Sequence, residues 1–331
     1  MDTRSCSNYF SSFWMRRTLR IFPLYFLALG VFLVAAPAVL PVPKEALPPV
    51  ADQVYYWTYL NNWIPMGEEG RLVHVLGHFW SLAVEEQFYL LWPVVVWLVP
   101  PRILLRGCAV ACVLILAARS WAFFSAGDLG MVYRNTVLRA DALLYGAAGA
   151  LMLRDEVWAR RLGRHIRALS VLAWSASALV LVSAVGTHYY RMPVMTLGMA
   201  VFSIAFLTLI LQAVLGMNRN SRLQRFLCHP WLTATGRYSY GMYVWHWPAA
   251  YVMYYAYAPL GLSGLPGAAL MLAAGLAVTF ALAWASYEFF ESPILTTKRF
   301  FAPRWRTAQP LAFFTASVSA GSTSNRSPTM P

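Results

Sequence analysis

The chain has unusually few charged residues. Of its 331 residues, 12% are charged and 59% are hydrophobic, and the mean hydropathy is +0.53. A soluble domain carries about 25% charged residues to cover its surface, so this composition argues against a soluble fold. Apolar stretches recur from Leu19 to Pro293 with no polar interval as long as a domain, which favours one membrane domain.

Familiar reaction motifs are also missing. The four cysteines lack metal-ligand spacing, and the chain has neither a glycine-rich nucleotide loop nor a nucleophile elbow. The sequence therefore favours structural cysteines and predicts no metal site. Acidic residues are scarce too, with 13 against 26 basic ones. A net charge of +13 can indicate nucleic-acid binding. Here, however, the arginines lie in the short polar segments between apolar stretches, as is typical of a membrane protein.

Apolar windows long enough to cross a bilayer occur about eight times. The sequence therefore predicts an all-α, polytopic helix bundle. The windows span residues 19–40, 80–100, 106–124, 137–153, 168–186, 193–215, 239–258 and 266–290.

The distribution of Lys and Arg predicts the orientation of the bundle. Twenty of the 26 fall on one face if the windows alternate in direction, and positive residues favour the cytoplasmic side. Both termini are thus expected to be cytoplasmic. Residues 1–307 are expected to form the membrane domain, and the Ser/Thr/Pro-rich residues 308–331 a disordered tail.

The predicted external face carries one long loop, about residues 42–79, which is rich in aromatic side chains. Such loops are usually functional or disordered. The aromatic density favours an ordered element that forms either an interfacial belt or a surface for a sugar or substrate. The aromatic residues are Tyr55, Tyr56, Trp57, Tyr59 and Trp63.

Ionisable residues inside membrane helices are candidates for function because they are costly to bury. His78, Ser81 and Glu85 share one face of the second predicted helix, with His78 and Glu85 about 10 Å apart along its axis. Glu86 points elsewhere. An alternative is that Glu85 only complements the positive end of the helix.

Arginines form two further candidate groups. Arg119 and Arg139 lie at the external ends of predicted helices near Asp141, where they could pair with a carboxylate or hold a substrate. At the cytoplasmic end, Arg16, Arg17 and Arg20 could simply be part of the excess of positive charge that faces the cytoplasm, or they could form a binding site for phosphate groups. Both readings stay open for each group.

The last candidate is the run from Ser239 through Tyr240 and Tyr243 to His246, which leads from the cytoplasm into the seventh predicted helix. His246 lies about 10 Å beyond Ser239 along a helix. It could be a packing residue or could line a pathway for the thiol end of a cofactor.

Two of these stretches together resemble the acyltransferase 3 family. The resemblance rests on two motifs. One is His-x-Trp-Ser-Leu-x-x-Glu-x-x-Phe-Tyr, which begins at His78, and the other is Ser-Tyr-x-x-Tyr-x-x-His, which begins at Ser239. Members of that family move acyl groups, often acetyl, from cytoplasmic acyl-CoA to carbohydrate or other hydroxyl acceptors across the membrane. The resemblance covers nearly the whole chain and implies a multi-pass protein of a bacterial inner membrane.

The resemblance also implies a division of roles between the two faces. The implied donor is acyl-CoA, in particular acetyl-CoA. The residues expected to hold it at the cytoplasmic side are Arg16, Arg17, Arg20, Tyr25, Ser239, Tyr240, Tyr243 and His246. The residues expected at the transfer site, nearer the outer face, are Glu85, His78, Arg139, Arg119, Asp141 and Ser81. A glycan or another hydroxyl-bearing cell-envelope molecule is the implied acceptor.

One family feature is not found. Relatives usually begin with two further spans, the first bearing a histidine regarded as catalytic, whereas Ser5 to Met15 resembles the loop before the third span. A shortened gene, an inactive relative, or a variant that uses His78 or His246 as base would each explain this. An inactive scaffold and a small-molecule transporter remain alternatives, although no two-halved symmetry is visible.

Overall fold

The computed structural model describes residues 2–39, 41–65, 74–126, 129–185, 194–216, 222–257 and 264–305. These residues form helices and connecting segments and contain no strand, which confirms the predicted all-α class. The α-helices are α1 Tyr9–Leu29, α2 Ala36–Val39, α3 Gln53–Trp57, α4 Trp80–Leu98, α5 Pro101–Ser125, α6 Leu129–Arg134, α7 Thr136–Arg154, α8 Glu156–Ser183, α9 Met199–Leu215, α10 Arg222–Leu227, α11 Pro230–Tyr257, α12 Gly264–Ser286 and α13 Ser292–Thr296. Wider π-helical turns, Gly30–Ala35, Val194–Gly198 and Tyr287–Glu291, continue α1, precede α9 and follow α12.

Six helical segments in the described residues are long and apolar enough to cross a membrane, against the eight expected. They are Tyr9–Val39, Pro101–Ser125, Leu129–Arg154, Glu156–Ser183, Val194–Leu215 and Gly264–Phe301. The other two windows coincide with α4 and α11, which are 19 and 28 residues long. These helices are less apolar because they carry the glutamates, tyrosines and histidines that the sequence singled out.

Several helices begin well before their apolar windows. The first begins at Tyr9 instead of residue 19, and α8 begins at Glu156 instead of residue 168. Asp155 caps α8, since its carboxylate accepts from the backbone N–H groups of Val157 and Trp158. Hydropathy windows detect only the part of a helix that suits hydrocarbon, so the basic first turns escape them.

The described ends of the chain lie side by side. The backbone N–H of Ser7 donates to the Arg304 carbonyl at 3.0 Å, and the Asn8 side chain donates to the Ala302 carbonyl at 2.8 Å. This places both ends on one side of the bundle, in agreement with the predicted topology. The expected tail, 308–331, lies outside the described residues.

Helices α1, α4 and α11 pack together, and α4 and α11 carry most of the two patterns quoted above. Antiparallel α1 and α4 are joined where the Tyr9 hydroxyl donates to the Pro93 carbonyl and the Trp14 ring N–H donates to the Tyr89 carbonyl. The Tyr240 hydroxyl of α11 donates to the Ile21 carbonyl of α1 at 2.5 Å. In lipid, such interhelical hydrogen bonds and close packing hold a bundle together.

Aromatic side chains of the external loop pack against helices α1, α4 and α11. Tyr25 of α1 is fully buried, its hydroxyl donates to the Tyr56 carbonyl, and its ring stacks on Tyr59 at 4.1 Å and on Phe79 at 4.9 Å. The Tyr56 hydroxyl in turn bonds His74 at 3.1 Å. The loop is ordered here, as predicted, with Tyr56 and Tyr59 packed inward.

Candidate functional site

Helices α1, α4 and α11 line a small open cavity of about 230 Å³. Its lining residues are Arg17, Arg20, Ile21, Leu82, Glu85, Ser239, Tyr240 and Tyr243. All except Ile21 and Leu82 are residues that the sequence predicted to bind cofactor or to act in catalysis. The cavity therefore brings together two guanidinium groups, one carboxylate and three hydroxyl groups.

Arg17 and Glu85 are oriented by a shared neighbour, Tyr89. The Arg17 guanidinium lies 4.4 Å from the centre of the Tyr89 ring, a cation–π distance. The Tyr89 hydroxyl donates to a Glu85 carboxylate oxygen at 3.4 Å, one helical turn away. Tyr89 is the last residue of the pattern that begins at His78, and the sequence assigned it no role.

The placement of Arg17 differs from the prediction. The sequence placed Arg17 at the inner leaflet and Glu85 near the outer face, at opposite ends of one passage, but both line the same cavity. The reason is the early start of α1 at Tyr9, which carries Arg17 more than two turns into the helix. Glu85 also lies more than a turn inside α4.

Tyr243 connects this cavity to a pair of histidines. Its hydroxyl donates to the His78 carbonyl and bonds Ser81 Oγ, each at 2.5 Å. His246 approaches the Tyr243 carbonyl at 2.6 Å through Nδ1, and the His78 and His246 rings are 4.7 Å apart. Both ring nitrogens of His78 are buried without a hydrogen-bond partner among the described residues.

Three predicted cofactor-binding residues do not line the cavity. Arg16 is exposed on α1. Tyr25 is fully buried and holds the external loop through Tyr56. His246 lies beside His78, beyond Tyr243. Consecutive residues of a helix point in different directions, so a cluster in sequence is divided between faces in the fold.

Arg119 and Asp141 form an ion pair inside the bundle instead of joining Glu85. The guanidinium of Arg119 is fully buried and lies 2.8 Å from the carboxylate of Asp141. It also donates to the carbonyls of Leu138 and Thr196, at 2.7 and 3.2 Å. This pair ties α5 to α7 and to the turn before α9.

Arg139 lies apart from Glu85 as well. Its guanidinium faces the Trp80 ring at 5.6 Å and the Tyr133 ring at 5.2 Å. It lines a second cavity, between α7 and α9. The sequence placed Arg139 at the correct end of its helix but could not indicate which neighbour it faces.

Three buried ionisable residues in the described part of the chain were missed, namely Arg134, Glu291 and His74. Glu291, in the π-helical turn after α12, is buried and accepts from Ser286. His74 reads as a loop or interfacial residue in the sequence, but it is 3% exposed, and the Trp247 ring N–H donates to its carbonyl. The aromatic residues near Glu291 and His74 were the feature of the sequence from which their burial could have been predicted.

His74 should make the stability of the protein depend on pH. Burial, and then the nearby charge of Arg134, lower the pKa of His74 from 6.5 to about 4. The folded state therefore favours the neutral ring, so this contribution is complete above pH 6.5 and declines as the pH falls from about 6.5 towards 4.

We expect the melting temperature of the protein in detergent to fall between pH 7 and pH 4.5, and the fall to be smaller in His74→Gln. Thermal unfolding followed by tryptophan fluorescence at several pH values measures both slopes. If the melting temperatures of the two proteins fell equally with pH, His74 would not be the source of the pH dependence.

Sequence comparison assigns the chain to a family. The family profile described as an acyltransferase domain matches residues 4–288. The peptidoglycan O-acetyltransferase OatA of Listeria monocytogenes is 28% identical over 295 residues, covering 85% of this chain and 46% of that protein. The O-acetyltransferase OatA of Staphylococcus aureus, strain NCTC 8325, is 25% identical over 294 residues, covering 85% and 47%.

The chain thus spans about half the length of the curated relatives it matches. No solved structure matches it. The family profile nevertheless covers most of the chain, including all the residues that line the cavity between α1, α4 and α11. The protein therefore belongs to the acyltransferase 3 family of membrane acyltransferase domains.

Proposed function

We propose that this protein is a membrane O-acetyltransferase that moves an acetyl group from cytoplasmic acyl-CoA to a hydroxyl group of a cell-envelope glycan. The observation that supports this most is the shared cavity of Arg17, Arg20 and Glu85. A transferase of this kind needs cations for the donor phosphates and a proton acceptor for the hydroxyl. The names of the relatives support acetyl as the group and peptidoglycan as the acceptor class.

The donor would be held through its phosphates by Arg17 and Arg20. Forked guanidinium groups match phosphate oxygens well, and the two arginines are three residues apart on one face of α1. At about 230 Å³ the cavity is smaller than a typical ligand pocket, so it suits one end of the donor, not all of it.

In the reaction, the acceptor oxygen attacks the thioester carbonyl. The carbon–oxygen bond forms, the carbon–sulfur bond breaks, and the thiolate leaves and is protonated. Glu85 would accept the hydroxyl proton.

His78 is the second candidate for the proton acceptor. Its buried ring nitrogens have no partner among the described residues, and Tyr243 joins its backbone to the cavity. A histidine in this position would serve an acceptor that approaches from the side of the external loop. Separate His78→Gln and Glu85→Gln variants distinguish the two bases by the size of their loss.

The same proposal includes location and orientation. A plasma-membrane protein with the basic helix ends in the cytoplasm would expose Arg17 and Arg20 to soluble acyl-CoA and the aromatic loop to the envelope. Reagents that label cysteine from one side of the membrane test this orientation.

The test of activity uses the purified chain in lipid nanodiscs with radiolabelled acetyl-CoA and glycan strands from peptidoglycan. The proposal predicts label on the glycan that mild alkali releases, as expected for an ester. Donor binding without any glycan ester would contradict the assigned acceptor, and the absence of donor binding would contradict the assigned donor.

Replacing Arg17 and Arg20 together by Ala should weaken acetyl-CoA binding by roughly a hundredfold or more, because two charged hydrogen-bonding groups are lost and each contributes about 1.5–3 kcal/mol. Equilibrium binding to the two proteins in nanodiscs measures this. Arg102→Ala, a single change at the exposed start of α5, is the control. Unchanged affinity in the double variant would mean that the two arginines contribute only to the positive charge of the cytoplasmic side and do not bind the donor.

A further inference from the structure

A second cavity lies between α7 and α9 and has a volume of about 570 Å³. On α7 it is lined by the stripe of Arg139, Ala142 and Gly146, and on α9 by residues from Met199 to Ile210. Most of the lining is apolar, and Arg139 is the only charged residue among the described residues that line it. The cavity is therefore an apolar groove with a cation at one end.

Side chains of the bundle hold the guanidinium of Arg139 in place. It lies against the rings of Trp80 and Tyr133, and one of its N–H groups points to Met199 Sδ at 2.8 Å. No carboxylate in the described part of the chain lies within ion-pair distance of it, and the nearby Asp141 is paired with Arg119. A half-buried cation in a membrane bundle is costly unless an anion accompanies it.

The position of Arg139 is fixed by a helix cap. Asn135 accepts from the backbone N–H groups of Val137 and Leu138 and so begins α7 one turn before Arg139. The guanidinium thus lies at the end where α7 begins, and Met199 stands at the beginning of α9. The charge distribution predicts that this is the external end.

The groove has the dimensions of one lipid chain. From Met199 to Ile210, eleven residues of helix extend about 16 Å, which is close to half of a hydrocarbon core of about 30 Å. Phe206 and Ile210 are 56% and 58% exposed on the surface of a candidate membrane span. A chain could therefore enter the groove sideways from the bilayer.

We propose that this groove binds an anionic lipid, with a phosphate at Arg139 and one hydrocarbon chain along α7 and α9 towards Gly146. The site goes beyond the proposed transfer reaction, since it neither includes Glu85 nor requires acyl-CoA. Charge complementarity at one end and an apolar lining along the rest favour a lipid over a free anion.

Gly146 offers a way to fill the groove without disturbing the helix packing. A Cβ atom added there meets no atom within 4 Å, so Gly146→Leu projects into open space. Gly107, on the exposed face of α5, is equally unobstructed and gives the matched control Gly107→Leu.

The experiment measures lipid retained by the detergent-purified protein after exchange with phosphatidylglycerol or phosphatidylcholine of the same chain length, by native mass spectrometry. We expect Arg139→Gln to retain at least about tenfold less phosphatidylglycerol, with phosphatidylcholine little changed. Arg139→Lys should keep part of the preference. Gly146→Leu should reduce retention of both lipids, and Gly107→Leu of neither.

A parallel arm adds inorganic phosphate alone and follows the melting temperature. Stabilisation by phosphate equal to that by phosphatidylglycerol would replace the lipid with a free anion and overturn the proposal. So would equal retention of phosphatidylglycerol by Arg139→Gln and the wild type, provided that both elute as single folded species on gel filtration.

Discussion

Replacing Glu85 by Gln should reduce acetyl transfer by about 10²- to 10⁴-fold, the usual contribution of a positioned general base. Glutamine keeps the size of the side chain and can still accept the hydrogen bond from Tyr89, but it cannot take a proton from an acceptor hydroxyl. Donor binding should remain because Arg17 and Arg20 are untouched. Initial rates with saturating acetyl-CoA measure the loss.

The control for this prediction is the adjacent residue. Glu86→Gln removes a carboxylate one position along the same helix that does not line the cavity, and it should retain most of the activity. Normal turnover by Glu85→Gln, or equal losses in the two variants, would remove Glu85 as the specific base.

Replacing Asp141 by Asn should destabilise the protein by about 3–5 kcal/mol, the effect of breaking a buried ion pair from one side. The change leaves the fully buried guanidinium of Arg119 without a compensating charge. The free energy of unfolding of the detergent-solubilised protein, measured by denaturant titration, gives the size of the effect.

The exposed pair of Arg160 and Glu156 is the matched control, since its atoms are 3.7 Å apart on the surface of α8. Glu156→Gln should leave the unfolding transition unchanged within error because water screens exposed pairs. A stable Asp141→Asn protein with lower acetyl transfer would instead favour the catalytic role that the sequence suggested for this pair.

The helical fold was predictable because hydrocarbon imposes its length and apolarity on any helix that crosses it. The limits of that signal appear at α1 and α8, whose basic first turns lie outside the apolar windows. They appear again at α11, where tyrosine, tryptophan and histidine lower the hydropathy of a helix that packs against α1.

The site was predictable in its residue types and less so in its arrangement. Spacing along α4 and α11 identified Glu85 and Tyr243, which do meet at one cavity. It could not indicate that Arg119 would pair with Asp141 and donate to two carbonyl groups, or that Arg139 would face α9. Those outcomes depend on which helices become neighbours, and the spacing within one helix carries no information about its partners.

The central claim is that Arg17 and Glu85 line one cavity that receives the donor. Its most direct test is a protein with the four native cysteines replaced and with the changes Arg17→Cys and Glu85→Cys, treated with a short bifunctional thiol reagent. We expect an internal cross-link in the double-cysteine protein, found by mass spectrometry. In the corresponding single-cysteine proteins, we expect acetyl-CoA to slow the labelling of each cysteine. Labelling of the two positions only from opposite sides of the membrane, without any cross-link, would contradict it.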